Sequence, residues 1–86
     1  MHTQLMMEGP RSYLLDALRR VLDGSELRPE EPSAAIADPE TLQRHEKDAW
    51  VQLGRWAGEA EVRARDGNYA TFHRDWLRDL HARLAR

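Results

Sequence analysis

The run Asp66-Gly67-Asn68 most constrains how this chain of 86 residues can fold, because it separates two stretches that both carry helical apolar patterns. Gly67 is expected to take the left-handed conformation that commonly ends a helix. Asn68 or Thr71 can then cap the helix that follows. A connection this short makes consecutive helices antiparallel neighbours. The sequence therefore predicts a helical hairpin that turns at residues 66–68.

The stretch before this turn is typical of one long helix over about residues 39–66. Asp38 can cap its first N–H groups, and Pro39 suits the first helical turn. The apolar residues that follow recur at three- and four-residue steps along one helical face: Leu42, Ala49, Leu53, Trp56, Ala57, Ala60 and Ala64. Gly54 and Gly58 leave little side-chain bulk, which favours the close approach of a partner helix.

The stretch after the turn predicts a terminal helix over about residues 69–85. Its apolar stripe consists of Tyr69, Phe72, Trp76, Leu77, Leu80 and Leu84. In a hairpin turning near residue 67, facing positions sum to about 135. Trp56 is then level with Leu80, and Ala60 with Trp76, so that large side chains face small ones across the seam.

The N-terminal part of the chain predicts one more helix, over about residues 11–23. Leu14, Leu15, Leu18, Val21 and Leu22 form its apolar stripe, and Asp23-Gly24 marks its end. A helix of this length is marginal in water on its own, so it should dock on the hairpin. Residues 1–9 carry no clear pattern and are expected to be loose. The fold class predicted is therefore all-α, a three-helix bundle forming one domain over residues 1–86.

Residues 25–38 form an acidic, Pro-rich linker within this domain. Pro29 and Pro32 oppose a continuous helix and favour an extended strap from the first helix to the far end of the hairpin. Ile36 can pin the strap to the core. Two interpretations stay open, namely a solvated connection and an acidic segment that binds a partner.

The composition predicts a cytoplasmic protein that neither spans nor binds a membrane. The chain has no Cys and therefore no disulfide framework, and no apolar run approaches the roughly 20 residues of a membrane span. The N-terminus lacks the basic-then-apolar pattern of a secretory signal. Twelve Arg against one Lys are typical of the codon usage of GC-rich bacterial or phage genomes.

The histidines do not predict a metal site, and no cofactor motif is present. His73 and His81 are eight residues apart on one helix, more than about 10 Å by helical rise, and His45 lies beyond the reach of both. A zinc site needs three or four converging ligands. His45, His73 and His81 are therefore expected at the surface or its boundary, and no metal or cofactor is predicted.

Catalytic residues are not predicted either. The sequence has no Gly-rich phosphate loop, no nucleophile elbow and no Cys nucleophile. Ser12, Ser25 and Ser33 fall at cap or linker positions rather than beside a His. A core filled by Trp and Leu side chains also leaves little room for a substrate. We therefore expect a protein that is not an enzyme.

A nucleic-acid-binding regulator is the first alternative function, and a membrane-surface helix with Trp76 above Arg74 and Arg78 is a less favoured one. The best basic cluster for nucleic acid lies near the hairpin turn and consists of Arg63, Arg65, Arg74 and Arg78. Affinity for nucleic acid depends on neutralising several phosphates. Asp66, Asp75 and Asp79 interrupt this cluster, which makes nucleic-acid binding the less favoured interpretation.

A second apolar face on the long helix predicts protein binding. Trp50 lies at the edge of the main stripe, and Val51 and Val62 lie outside it. Leu42 belongs to the stripe but lies in the N-terminal half of the long helix, which the shorter terminal helix only partly reaches. Either the first helix and the strap cover these residues or a partner does. The favoured function is a non-enzymatic helical protein-interaction module, a small bacterial or phage regulator or adaptor that binds a protein partner or itself. A homodimer through this edge is the expected assembly.

Overall fold

The computed structural model describes the backbone of residues 3–86 and the side chains of residues 9–86. Its helices are α1 (Thr3–Leu22), α2 (Glu31–Ala35), α3 (Arg44–Gly58), α4 (Ala60–Arg65) and α5 (Gly67–Ala85), and a 3-10 turn spans Pro39–Thr41. Within residues 3–86 there is no strand. The helices α1, α3 and α5 all pack against one another, which confirms the predicted all-α bundle.

The helix α1 is bent at Gly9, where the backbone is not helical. Gly9 has a φ of 66°, a conformation that glycine adopts without strain. Pro10 follows it and suits the start of a new helical segment, because that position needs no backbone donor. The helix thus begins before the predicted start at about residue 11. Met1, His2 and the side chains of residues 3–8 lie outside the described residues, and the expectation that residues 1–9 are loose stays a prediction.

The end of α1 confirms the prediction made from Asp23-Gly24. Gly24 has a φ of 101°. The N–H of Ser25 donates to the carbonyl of Arg20 at 2.9 Å, and the N–H of Gly24 donates to the carbonyl of Val21 at 3.0 Å. These two hydrogen bonds form a Schellman motif, which satisfies the last carbonyls of the helix.

The linker is a strap that lies against the bundle, but it is not extended throughout as predicted, because Glu31–Ala35 form α2 with Pro32 in its first turn. Leu27, Pro32 and Ile36 are buried, so Ile36 is pinned to the core as predicted. The indole N–H of Trp50 donates to the carbonyl of Pro32 at 3.1 Å. Tyr13 donates its hydroxyl to Glu31 at 2.8 Å. One of the acidic side chains of the linker therefore holds the strap to α1.

The single long helix predicted over 39–66 is wrong in two places. At its start, residues 39–41 form only the 3-10 turn, although Asp38 caps it as expected by accepting from the N–H of Glu40 at 3.2 Å. Leu42 is then extended, and α3 begins at Arg44. The N–H of Gln43 donates to the Glu46 carboxylate at 3.0 Å, which is half of a capping box and gives α3 an N-terminus of its own.

The second interruption lies at Glu59, between α3 and α4. Glu59 has φ and ψ of −116° and 30°, and its N–H donates to the carbonyl of Trp56 in a 3-10 arrangement. The guanidinium of Arg63 also donates to that carbonyl. Gly58, with a low helix propensity, precedes the break. A side chain thus takes a carbonyl that a continuous helix would give to a backbone N–H.

The turn between α4 and α5 differs from the predicted one in its capping residues. Gly67 is the first residue of α5 and does not have a positive φ. Asp66 caps α5, because its carboxylate accepts from the N–H of Tyr69 at 3.0 Å. The prediction that Gly67 is left-handed and that Asn68 or Thr71 supplies the cap is therefore wrong. The antiparallel direction of the hairpin is correct.

The facing positions of α3 and α5 are shifted from those that the sequence predicted. A hydrogen bond of 3.1 Å joins Gln52 to His73, so facing positions there sum to 125 (52 plus 73). The predicted sum of about 135 assumed that α3 runs unbroken to the turn. Because α4 is a separate helix, Trp56 lies beside His73 rather than Leu80, and the predicted packing of Trp76 on Ala60 does not form.

The shift in facing positions determines which residues of α5 enter the core. The buried side of α5 consists of His73, Leu77, Leu80 and Leu84. These residues meet Ala49, Leu53, Trp56 and Ala57 of α3 and Leu14, Ala17, Leu18 and Val21 of α1. The terminal helix therefore presents Leu77, Leu80 and Leu84 to the core as predicted. Phe72 and Trp76 are exposed instead of buried.

Candidate functional site

A groove lined by aromatic side chains lies between α3 and α5, and we call it the aromatic groove. It is lined by Gln52 and Arg55 from α3 and by Tyr69, Phe72, His73 and Trp76 from α5. Its cavity has a volume of about 90 Å³. A cavity of this size has room for one side chain of a partner rather than for a large cofactor.

Phe72 and Trp76 form the exposed wall of the aromatic groove. Phe72 is 63% exposed and Trp76 is 41% exposed. Their rings meet edge to face, with centroids 6.1 Å apart. Removing a side chain of this kind from water stabilises a protein by about 1.5–3 kcal/mol, so leaving two of them exposed side by side forgoes that stabilisation. Exposed apolar patches of this kind mark interaction surfaces.

His73 and Gln52 form the floor of the aromatic groove. His73 is 2% exposed and Gln52 is 8% exposed. His73 donates from Nε2 to the Gln52 side-chain oxygen at 3.1 Å, and its ring meets the edge of Trp56 with centroids 5.4 Å apart. The prediction that His73 lies at the surface is therefore wrong. The sequence signal for this pair was one polar residue within the buried side of each helix, Gln52 on α3 and His73 on α5. Each can satisfy the hydrogen-bonding group of the other.

Burial lowers the pKa of His73 below its ordinary value, because the imidazolium loses its hydration there. The positive charges of Arg55 and Arg63 act in the same direction, while the negative charge of Glu59 opposes them. Nδ1 of His73 is buried without a hydrogen-bond partner. His73 is therefore neutral at pH 7, and the floor of the groove carries no charge.

Acidification is expected to destabilise the protein through His73. The unfolded chain binds a proton near pH 6.5, whereas the folded chain resists it to lower pH. The stabilisation that neutral His73 gives the folded state is therefore fully present above about pH 6.5. The free energy of unfolding falls as the pH drops below that value. For one proton the slope cannot exceed about 1.4 kcal/mol per pH unit. Chemical denaturation at pH 7 and at pH 5 measures this loss.

The matched variants for this measurement are His73→Gln and His45→Gln. His45 is exposed on α3, so His45→Gln should keep the pH dependence of the unmodified chain. His73→Gln should reduce that dependence, because the titrating ring is gone. Equal pH dependence in the two variants would show that His73 is not the group that titrates.

The four residues predicted to bind a partner differ in their exposure to solvent. Leu42 is 9% exposed and belongs to the core. Trp50 is partly buried under the strap. Val51 and Val62 are exposed, at 41% and 36%. The chain itself therefore covers Leu42 and Trp50, and partner binding stays a prediction for the two valines.

The arginines predicted to contact nucleic acid are engaged within the chain. The guanidinium of Arg63 lies 3.8 Å from the centroid of the Trp56 ring and 3.1 Å from Glu26, and its side chain is only 8% exposed. Arg78 pairs with Asp75 at 2.7 Å. Arg65 donates to the carbonyl of Glu61 at 3.4 Å, and Arg74 lies 5.6 Å from the Trp56 centroid. Nucleic-acid binding stays a prediction, with little support from these positions.

The predictions that no metal is bound and that no membrane is a partner stay predictions. In the part of the chain that the structure describes, no three His, Asp or Glu residues come together as a metal site would require. No helix there has both the length and the apolar character needed to cross a membrane.

No protein-family model, curated protein or solved structure matches this chain.

Proposed function

We propose that this chain is a non-enzymatic helical protein-interaction module whose binding surface is the aromatic groove. The observation that carries the proposal is the exposure of Phe72 and Trp76 side by side at the edge of a cavity that fits one side chain. Binding hot spots are enriched in Trp, Tyr and Arg and centre on pockets that exclude water. The lining of the aromatic groove contains Trp76, Tyr69 and Arg55.

The chemistry of the lining supports binding rather than catalysis. It supplies aromatic rings, the amide of Gln52 and the guanidinium of Arg55, which are groups that pack and form hydrogen bonds. The imidazole of His73 is buried and already donates to Gln52. The hydroxyl of Tyr69 donates to Glu59, and this hydrogen bond raises the pKa of Tyr69. The imidazole of His73 and the hydroxyl of Tyr69 thus both hold α5 to neighbouring residues, Gln52 of α3 and Glu59 at its end.

Site-specific photo-cross-linking tests this function. A benzophenone amino acid placed at position 72 should cross-link a discrete protein from extracts of the source cells. The same amino acid at Arg19, an exposed position on α1, serves as the control. Excess unlabelled chain should suppress the product, whereas excess Phe72→Ala should not. Absence of any product above the Arg19 control would contradict an interaction through the aromatic groove.

A further inference from the structure

We propose that the occupant of the aromatic groove is a second copy of this chain, bound face to face in a symmetric dimer, with Phe72 of each copy entering the groove of the other. This inference rests on the proposed function and names the partner for the same surface. It differs from the edge that the sequence indicated, because Leu42 and Trp50 are covered within one chain and play no part in it.

The first argument is the distribution of exposed apolar side chains. Among the described residues, the exposed large apolar side chains are Val51, Val62, Phe72 and Trp76. Val51 precedes Gln52, whose hydrogen bond to His73 sets the level at which α3 and α5 meet. It also lies four residues before Arg55, on the side of α3 that lines the groove. Val51, Phe72 and Trp76 therefore share one face of the α3–α5 pair.

The second argument is self-complementarity. A two-fold interface uses the same patch on both subunits, so that patch must carry both a projecting group and a recess that accepts it. The aromatic groove has both, because the 63% exposed ring of Phe72 projects beside a cavity of about 90 Å³. Edge-to-face contacts between the paired Phe72 and Trp76 rings would add to the area buried.

The third argument is the charge around this face. The exposed charged side chains of α3 and α5 have both signs, and they are Asp48, Asp75 and Asp79 together with Arg44, Lys47, Arg55, Arg78 and Arg83. Two of the arginines are already paired, Arg78 with Asp75 and Arg83 with Asp79 at 3.1 Å. A surface that carries charges of both signs can place opposite charges against its own copy, and it offers no single-sign field to attract a strongly charged partner.

The geometry of the dimer follows from the two antiparallel helices that form the face. Two copies stacked through α3 and α5 form a four-helix layer, which is a common way for amphipathic helices to bury a shared apolar surface. This arrangement leaves α1 and the strap on the outside of each copy. Val62 belongs to α4 and lies outside the contact.

Sedimentation velocity over a concentration series tests the dimer. The unmodified chain should show twice its chain mass of 10.0 kDa at high concentration and dissociate on dilution. Phe72→Glu should remain monomeric, with a Kd raised by roughly thirtyfold or more, the effect of losing one binding hot spot. Because Phe72 is exposed, this variant should keep the helical content and thermal midpoint of the monomer.

A matched pair of valine variants guards against a failure of Phe72→Glu to fold. Val51→Glu should dissociate the dimer, and Val62→Glu should leave it intact, although both place the same charge at an exposed valine on a helix. Dissociation by Val62→Glu but not by Val51→Glu would overturn the proposed face. A mass of 10.0 kDa at every concentration up to about 1 mM would overturn the dimer itself.

The cross-linking experiment separates this inference from the proposed function. A monomeric chain that still cross-links a different protein through position 72 overturns the dimer and leaves the interaction function standing. A monomeric chain that cross-links nothing through position 72 overturns both.

Discussion

Replacing Trp56 with alanine is expected to lower the free energy of unfolding by about 3–5 kcal/mol, a large part of the total for a domain of this size. The side chain is only 3% exposed, and it connects three elements. It meets the edge of His73 on α5 and lies under the guanidinium of Arg63 on α4. Removal of the indole would leave a cavity between α3, α4 and α5.

Trp76→Ala is the matched control for this variant, measured by chemical denaturation at low protein concentration. Trp76 is 41% exposed, so its loss should cost about 1 kcal/mol or less in the monomer. An equal cost for the two variants would mean that Trp76 is buried in the seam after all, as the sequence alone had suggested. The ratio of the two costs therefore tests the register of α3 against α5.

Replacing Leu18 with alanine is expected to cost about 2–5 kcal/mol, although Leu18 lies in the first helix and not in the hairpin. The side chain is completely buried, and α1 packs against both α3 and α5. If α1 only packed loosely on the surface of the hairpin, this substitution would have little effect on stability. In the structure, Leu18 fills the centre of the core together with Leu53 and Leu77.

Leu15→Ala is the control for Leu18→Ala, because Leu15 is on the same helix but only partly buried. It should cost clearly less. Thermal unfolding followed by circular dichroism should show one transition in both variants, shifted further in Leu18→Ala. A second transition at the original midpoint would show that the hairpin folds without α1 and that the three helices are not one cooperative unit.

The parts of the fold that the sequence predicted correctly depend on local signals. Gly24 ends α1, Asp38 caps the 3-10 turn, and Ile36 pins the strap, because each signal requires only neighbouring residues or one strongly apolar side chain. The three-residue and four-residue spacing of leucines likewise identified α1 and α5. The all-α bundle follows from these signals with no knowledge of which helix faces which.

The break between α3 and α4 depends instead on a tertiary contact. Gly58 is the one local signal for a helix end at this point, and the run of Ala, Glu and Arg that follows it favours a continuous helix. Arg63 stabilises the break. Its guanidinium donates to the carbonyl of Trp56 and packs on the indole ring of the same residue. It also pairs with Glu26 in the linker. The contact with Glu26 spans 37 residues and cannot be read from local spacing.

The sequence did not predict the aromatic groove, and the reason is again a tertiary contact. On α5, the stripe with Phe72 and Trp76 and the stripe with His73 and Leu77 are adjacent on the helix surface, and hydrophobicity alone favours burying the aromatic rings. In the structure the second stripe is the buried one: it places Leu77, Leu80 and Leu84 in the core, and the hydrogen bond to Gln52 satisfies His73 there. Two polar residues that satisfy each other thus permit the burial of a stripe that leaves Phe72 and Trp76 facing water.

The three tryptophans sit at three different depths, and this gives the protein a set of intrinsic fluorescent reporters. Trp56 is buried in the core, Trp50 lies partly buried beneath the strap, and Trp76 is open to solvent beside Phe72. An indole in water emits at longer wavelength than one in an apolar interior, so the emission of Trp56 follows unfolding while that of Trp76 follows occupancy of the groove. Chains that retain a single tryptophan can therefore report folding and docking as separate optical signals, with no dye attached.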